Sequence, residues 1–327
     1  MIKNQWYVIY DARKLKKGAV VGIKRLSEKL VLWRNTDNSL GCIADKCCHR
    51  GASLSQGFVK DNHIQCPFHG IEFSKDGSCQ LIPANGKNAN IPETFFQKSY
   101  ITQEKHGFIW IFWGNQKEQL PEISFFDNID AKMHYAGFEN HWQMHYTRCI
   151  ENQLDVLHLP FVHRTTIGKG NRTIINGPNT VMTDKGFNIY IKNELDNGQK
   201  PLKPNEMPEP LPHQQHLKFI FPNLWQNFLT PKLLIIISFT PVDEDNTLLF
   251  LRMYQKIVNI PLLEQLLNVI MMKYNLIILN QDKRIVLKQL PNKSDIHMDE
   301  RLIMADQPII KYRQLRQQLL DENEKMP

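Results

Sequence analysis

Four residues constrain this chain more than any others: Cys47 and His49, then Cys66 and His69. They form Cys-x-His and Cys-x-x-His loops within the stretch ADKCCHRGASLSQGFVKDNHIQCPFHG, with sixteen residues between them. Two short loops, each offering one thiolate and one imidazole, grip a metal centre from two sides. Two centres compete for such a set. A single zinc accepts two Cys and two His, but its usual spacings pair Cys with Cys and His with His. A two-iron, two-sulfur cluster, with both Cys on one iron and both His on the other, needs an unlike pair in each loop, as found here. Gly51, Gly57, Pro67 and Gly70 flank the ligands. Glycine and proline turn the backbone tightly enough for amides to approach the sulfurs. Cys48 stands beside His49 and does not suit a Cys-x-His loop, which leaves Cys47 as the ligand.

The loops with their flanks, His49-Arg50-Gly51-Ala52, Leu54-Ser55-x-Gly57, Pro67 and Gly70, resemble the Rieske iron–sulfur domain. That resemblance more often has proline at the Cys48 position. This chain departs from it there, and Cys48 reads as a small inert thiol. Rieske proteins of respiratory complexes carry a further cysteine pair that links the two loops; Ala52 and Phe68 hold those places here. The resemblance is therefore to the oxygenase-type Rieske domain, a low-potential electron relay. His63, in the polar turn KDNHIQ, reads as a solvated hairpin residue, and Cys42 and Cys79 read as core.

At 327 residues the chain exceeds the usual growth of one core, so two domains are expected. Short strand-like runs at 5–10, 18–24, 28–34, 40–44, 57–60, 63–66 and 71–74, closed by 101–113, give an all-β domain over residues 1–115. A linker at 114–121 leads into a mixed second domain, 116–327. Strand-like runs at 175–182, 186–194, 216–221, 233–240 and 247–255 predict one large antiparallel sheet, and a long helix starts after Pro261. The fold class is α+β. Residues 197–212 hold five prolines and read as a long irregular loop, either a lid or a surface insertion.

The second domain contains HWQMHYTRCIENQLDVLHLPFVH, in which Asp155-x-x-His158-x(4)-His163 stands out. On a helix, positions i and i+3 share a side, so Asp155 and His158 face together. Pro160 ends that helix within about a turn, and His163 returns from the next segment. His158 and His163 then reach one metal, with Asp155 hydrogen-bonded to a ring nitrogen. Two imidazoles and a carboxylate on one face of iron form the triad of non-haem oxygenases. The segment resembles the iron-binding segment of Rieske non-haem iron oxygenase alpha subunits, and with it the resemblance covers essentially the whole chain. It implies a sheet gripped by helices (helix-grip, START-like) for the second domain. Tyr274, Ile278, Asp282 and Ile285 fall on one helical stripe, where a carboxylate is costly unless paired or metal-bound. The run QDKRIVLKQLP also resembles the late motif that supplies the third ligand. Asp282 is the expected ligand, with Asp295 and Asp299 as alternatives. Near Asp155, the resemblance places an amide close to the iron, at Glu151 or Asn152. His141 and His145 line the pocket or, as the preferred reading, pack on a helix. Phe219, Phe221, Trp225 and Phe228 shape an apolar cavity or belong to the core.

The resemblance implies one 2Fe-2S cluster and one Fe(II) per chain, with dioxygen as co-substrate and a small organic molecule as substrate. It also implies a head-to-tail homotrimer, with Asp155 bridging the cluster of one subunit to the iron of the next. No dinucleotide fingerprint occurs, so electrons are expected from a separate ferredoxin or NAD(P)H-dependent reductase. Hydroxylation or demethylation is favoured over dioxygenation. A Rieske electron carrier with a partner-binding domain is the alternative, and a zinc-stabilised binding protein a third. The net charge of +7 is scattered rather than gathered in a stripe, which argues against nucleic acid. No unbroken apolar run approaches the ~18 residues that span a bilayer, so no membrane partner is expected. The N-terminus has no apolar segment with a cleavage site, and the cytoplasm is the expected compartment.

Overall fold

The structure is a computed structural model that describes all residues except 116–118, 131, 212, 259 and 325–327. Part of the expected linker and Pro212 of the proline-rich loop thus lie outside the described residues. The chain divides into two compact units, Met1–Ile123 and Ser124–Pro327.

The first unit is all-β. Its strands are β1 (Gln5–Asp11), β2 (Val20–Arg25), β3 (Glu28–Arg34), β4 (Leu40–Ala44), β5 (Phe58–Lys60), β6 (His63–Gln65), β7 (Glu72–Phe73), β8 (Cys79–Leu81), β9 (Thr102–Lys105) and β10 (Phe108–Trp113). They form three antiparallel sheets, ordered β1-β10-β9, β2-β3-β4 and β5-β6-β7-β8. β3 shows why the sequence folds this way. Side chains alternate across a strand, yet Leu30 to Trp33 are all buried. Leu30 and Leu32 enter one core with Tyr7, Ile9 and Ile109. Val31 and Trp33 enter a second core with Leu54, Ile64, Phe73, Cys47 and Cys66. The cluster thiols are thus anchored in a hydrophobic core.

The second unit is built on one seven-stranded antiparallel sheet. Its strands are β11 (His134–Trp142), β12 (Ile174–Thr183), β13 (Gly186–Glu194), β14 (His216–Ile220), β15 (Leu224–Thr230), β16 (Leu233–Pro241) and β17 (Thr247–Gln255). Their order is β11-β17-β16-β15-β14-β13-β12. β11 and β15 were not among the expected strands. The helices are α1 (Tyr146–Leu154), α2 (Leu159–Val162), α3 (Pro261–Val286) and α4 (Gln307–Glu324). Asn275 of α3 reaches Met253 of β17, and Tyr312 of α4 packs edge-on against Phe219 of β14, so both helices cover one sheet face. Phe219 is therefore core. Arg148 and Glu151 of α1, Arg313 of α4 and Glu300 from the segment before α4 form a largely buried ion network, with Arg313 on both oxygens of Glu151 at 2.7 and 3.0 Å. It locks α1 to α4.

The proline-rich loop is pinned rather than free. Leu202 donates to Asn176 Oδ1 and accepts from the Gly177 amide, both at the edge strand β12.

α3 corrects the expectation about apolar length. It is long and apolar enough to cross a membrane by length and composition, and only 11% of its most apolar window is buried. Leu262, Leu263, Leu266, Val269, Ile270 and Ile277 are all exposed on it. Polar residues interrupt the run, so counting unbroken apolar stretches passes over it.

Candidate metal centres

In the first unit, the two cluster loops are near copies of each other. Cys47 N–H donates to Ala52 O, and Gly51 N–H returns to Cys47 O, both at 2.8 Å. Cys66 N–H donates to Ile71 O at 2.8 Å, and Gly70 N–H returns to Cys66 O at 3.1 Å. Both glycines adopt positive φ, +74° and +70°, which a side chain would strain. Cys47 and Cys66 are buried and lie close enough for a thiol–thiol hydrogen bond. His49 and His69 are exposed, with ring centroids 4.6 Å apart. Burial pushes the Cys47 thiol up to about 11. A thiol raised in this way does not ionise unaided; bound iron would provide the positive charge that makes it a thiolate. The donor set fits a cluster with its sulfur-ligated side in the core and its imidazole side at the surface. Cys48 is exposed, and His63 opens β6 half-buried.

In the second unit, His158, His163 and Asp282 converge. Each offers one donor atom, and all three atoms lie within 4.8 Å of one another. His163 Nε2 is 3.0 Å and His158 Nε2 3.5 Å from Asp282 Oδ1. Ligands at right angles on one metal, each at about 2.1 Å, stand about 3 Å apart. His163 Nδ1 lies 2.8 Å from Gln281 Oε1, which also accepts from Thr166 Oγ1 at 2.9 Å. An amide oxygen only accepts, so Nδ1 carries the proton, and a neutral ring then aims the Nε2 lone pair at Asp282. Two lone pairs facing each other need a cation between them. Burial disfavours the charged His163 ring, but the Asp282 carboxylate and Gln281 outweigh it, and the net pKa direction is upward. The residues present therefore fit a divalent metal.

Asp155 sits beside this group by a route different from the expected one. α1 ends at Leu154, with Asp155 as its C-cap. Asp155 Oδ1 accepts from Leu157 N–H at 2.6 Å, a tight turn that starts α2 with His158 at its N-cap. Pro160 lies in the first turn of α2 and begins that helix rather than ending the previous one. Asp155 Oδ2 still reaches to 3.7 Å from His158 Nδ1. That nitrogen is buried and has no hydrogen-bond partner among the described residues.

The buried stripe of α3 is Asn275, Leu279, Asp282 and Val286. Tyr274 and Ile285 of the expected stripe are exposed, so Asp282 was assigned through the wrong neighbours. Asp295 and Asp299 are exposed and lie in neither cluster. Asn152 is the amide at the site, with Nδ2 3.5 Å from Asp282 Oδ1, whereas Glu151 belongs to the ion network. His141 is exposed at the end of β11, and His145 caps α1 through Thr147, so neither is a packed mid-helix residue.

Residues 142–322 match the model of the vanillate O-demethylase oxygenase C-terminal domain, and residues 5–100 match that of the Rieske [2Fe-2S] domain. The chain belongs to the Rieske non-haem iron oxygenases. It is 29% identical over 203 residues to the vanillate O-demethylase oxygenase subunit of Pseudomonas sp. (strain HR199 / DSM 7063), covering 61% of this chain and 54% of that protein. It is also 29% identical over 205 residues to the chloroplastic protein TIC 55 of Pisum sativum, covering 61% of this chain and 36% of that one. The matched length is thus about a third to a half of these curated relatives. Among solved structures, NdmA of Pseudomonas putida CBB5 aligns with a TM-score of 0.75 at 21% identity, covering 98% of this chain and 90% of that chain, a likeness of fold.

For a Rieske oxygenase, the sequence reading missed two amides. Gln281 fixes the His163 tautomer from the residue before Asp282, and Gln153 Nε2 reaches Asp282 Oδ2 at 3.3 Å. Both directly adjoin residues already singled out, and that adjacency was the available signal.

Proposed function

We propose that the chain is the terminal oxygenase of a multicomponent system that hydroxylates or oxidatively demethylates a small organic substrate. The observation that carries this reading is the convergence of His158, His163 and Asp282 in a chain that also carries a Rieske cage. The net change is R–H, O2, two electrons and two protons to R–OH and water. A ferrous iron held by His158, His163 and Asp282 supplies the activation of dioxygen. Gln281 holds the His163 ring in the tautomer that presents Nε2. Asn152 and Gln153 donate to Asp282 and hold its carboxylate in place. Asp155 faces His158 Nδ1 and, when that nitrogen is protonated, receives its hydrogen bond.

The exposed edges of His49 and His69 are the exit for electrons from the cluster. The reading includes a head-to-tail homotrimer, in which Asp155 links the cluster of one subunit to the iron of the next. Heterologous contacts of this kind close into rings. A ferredoxin or reductase supplies the electrons, because the sequence carries no nucleotide-binding fingerprint. Relatives named as a demethylase and as a monooxygenase support single-oxygen insertion over dioxygenation.

Metal and sulfide counts on purified protein test the reading. About three irons and two labile sulfides per chain are expected. Two irons with two sulfides means an electron carrier, and zinc without iron means a binding protein. Asp155→Ala is expected to keep both metal centres filled and to stop turnover. Full turnover in that variant removes the bridge.

A further inference from the structure

Beside α2 lies a cavity of about 380 Å³, within the range that holds a small ligand. Leu159 of α2, Ile191 of β13 and Leu217 of β14 give it apolar walls. Its place on the sheet follows from the ladder. Leu217 pairs with Asn227, Asn227 with Ile235, and Ile235 with Met253, so these side chains share a face. Met253 is the residue that Asn275 of α3 reaches, so the cavity opens on the face covered by the helix that carries Asp282.

Three cations also line the cavity: Lys169, Arg172 and Lys192, with no carboxylate among the described lining residues. Lys192 is engaged by Glu194 at 2.6 Å. Lys169 and Arg172 are exposed, and neither has an ion-pair partner among the described residues. Their loop is tied to the metal ligands. Gly168 N–H donates to His163 O at 2.9 Å, and a Cβ at Gly168 would stand 1.9 Å from Leu159 O. Only glycine lets the loop lie this close to α2, and the next residue is Lys169.

A cavity walled on one side by apolar side chains and on the other by Asn193, Gln215 and His216, with two unmatched cations at its side, selects one kind of small molecule. An anion keeps its charge on the cations while its carbon body enters; a neutral isostere forgoes that attraction, and a cation is repelled. The guanidinium fork of Arg172 suits the two oxygens of a carboxylate or sulfonate. We propose that this cavity receives the substrate, and that Arg172 with Lys169 restricts it to small organic anions, carboxylates or sulfonates with an apolar body. The inference rests on the oxygenase reading and narrows its substrate class.

Calorimetric titration of the metal-loaded protein with 4-methoxybenzoate and with 4-methoxybenzamide tests it without electron donors. The acid is expected to bind about 10-fold more tightly than the amide, an advantage that falls at high salt. The Lys169→Gln/Arg172→Gln double variant is expected to bring the two within about 2-fold, with an unchanged circular-dichroism melting curve reporting an intact fold. Equal binding of acid and amide, a preference that survives the double variant, or binding of neither overturns the proposal. Failure of the oxygenase reading looks different: the acid still binds through Arg172, while iron count or product formation is missing.

Discussion

The two candidate metal centres bring their donor side chains together by opposite routes. The cluster cage is local. Its four ligands lie within 23 residues, on two loops closed by the same pair of backbone hydrogen bonds, Cys47 with Ala52 and Gly51, Cys66 with Ile71 and Gly70. The triad is long-range: His158 and His163 flank the short helix α2, and Asp282 arrives from α3 more than a hundred residues later. A local cage depends on turn geometry and a buried pair of thiols. A long-range triad depends on helix packing and on amides that orient each ligand. The two should therefore fail independently, and in different ways.

The sharpest way to break this comparison is to remove one ligand from each side. Cys66→Ser takes a buried sulfur from the cage, and an iron–sulfur cluster held by three ligands does not persist in a site of this kind. The expected outcome is about one iron per chain, no labile sulfide and no visible colour. Asp282→Ala should give the converse, a coloured protein with about two irons, because the first unit keeps its own cores. Turnover is expected to vanish in both. If either substitution empties both centres, the claim of independence fails.

The same contrast explains what the sequence made legible. The cage could be read outright, because unlike Cys/His pairs and turn glycines are properties of contiguous residues. The His pair was legible as well, but for a mistaken reason. A shared helix face was expected to bring Asp155 and His158 together, whereas α1 ends at Leu154 and the Asp155–Leu157 turn does the work. Asp282 emerged from the burial cost of a carboxylate, although the buried stripe includes Asn275 and Leu279 rather than Tyr274 and Ile285. β11 was missed because HYAGFENHW is mostly polar or small, with no β-branched residue, and becomes a strand by pairing with β17. β15 was missed because its aromatics were read only as cavity or core. For α4 a signal existed: Ile309, Tyr312, Arg313 and Arg316 are buried at helical spacing. The outward apolar face of α3 follows from no packing rule, since a helix on a sheet normally presents polar residues to solvent.

A smaller effect sharpens the account of the triad. Gln281→Leu leaves all three ligands in place and removes the acceptor that fixes His163 Nδ1. Loss of such an outer partner typically costs about 10–100-fold in metal affinity or activity. Competition with a chelator should show weaker retention of the mononuclear iron by roughly that factor, with the cluster spectrum unchanged. Retention equal to the native protein would mean that ring orientation is set by packing alone.

The smallest effect concerns a histidine that holds no metal. His145 is buried at the start of α1, where Nδ1 accepts from Thr147 N–H at 3.3 Å and lies 2.7 Å from Thr147 Oγ1. Glu244 Oε2 is 3.6 Å from its Nε2, but burial, with Lys293 and Arg316 nearby, depresses its pKa to about 3. In the unfolded chain the imidazole has its ordinary value of about 6.5. Between these values the unfolded state binds a proton that the folded state refuses, so stability is full above about pH 6.5 and declines as pH falls toward 3. The slope is at most about 1.4 kcal/mol per pH unit, the limit for one proton. Asn is also a good N-cap and does not titrate, so His145→Asn should keep most of the capping contribution of about 1 kcal/mol. Melting temperatures at pH 8 are then expected to be nearly equal, while at pH 5 the variant should fall less than the native protein. Parallel declines in the two proteins would show that the acid sensitivity of this unit comes from the metal ligands instead, and His145 would be reduced to a cap.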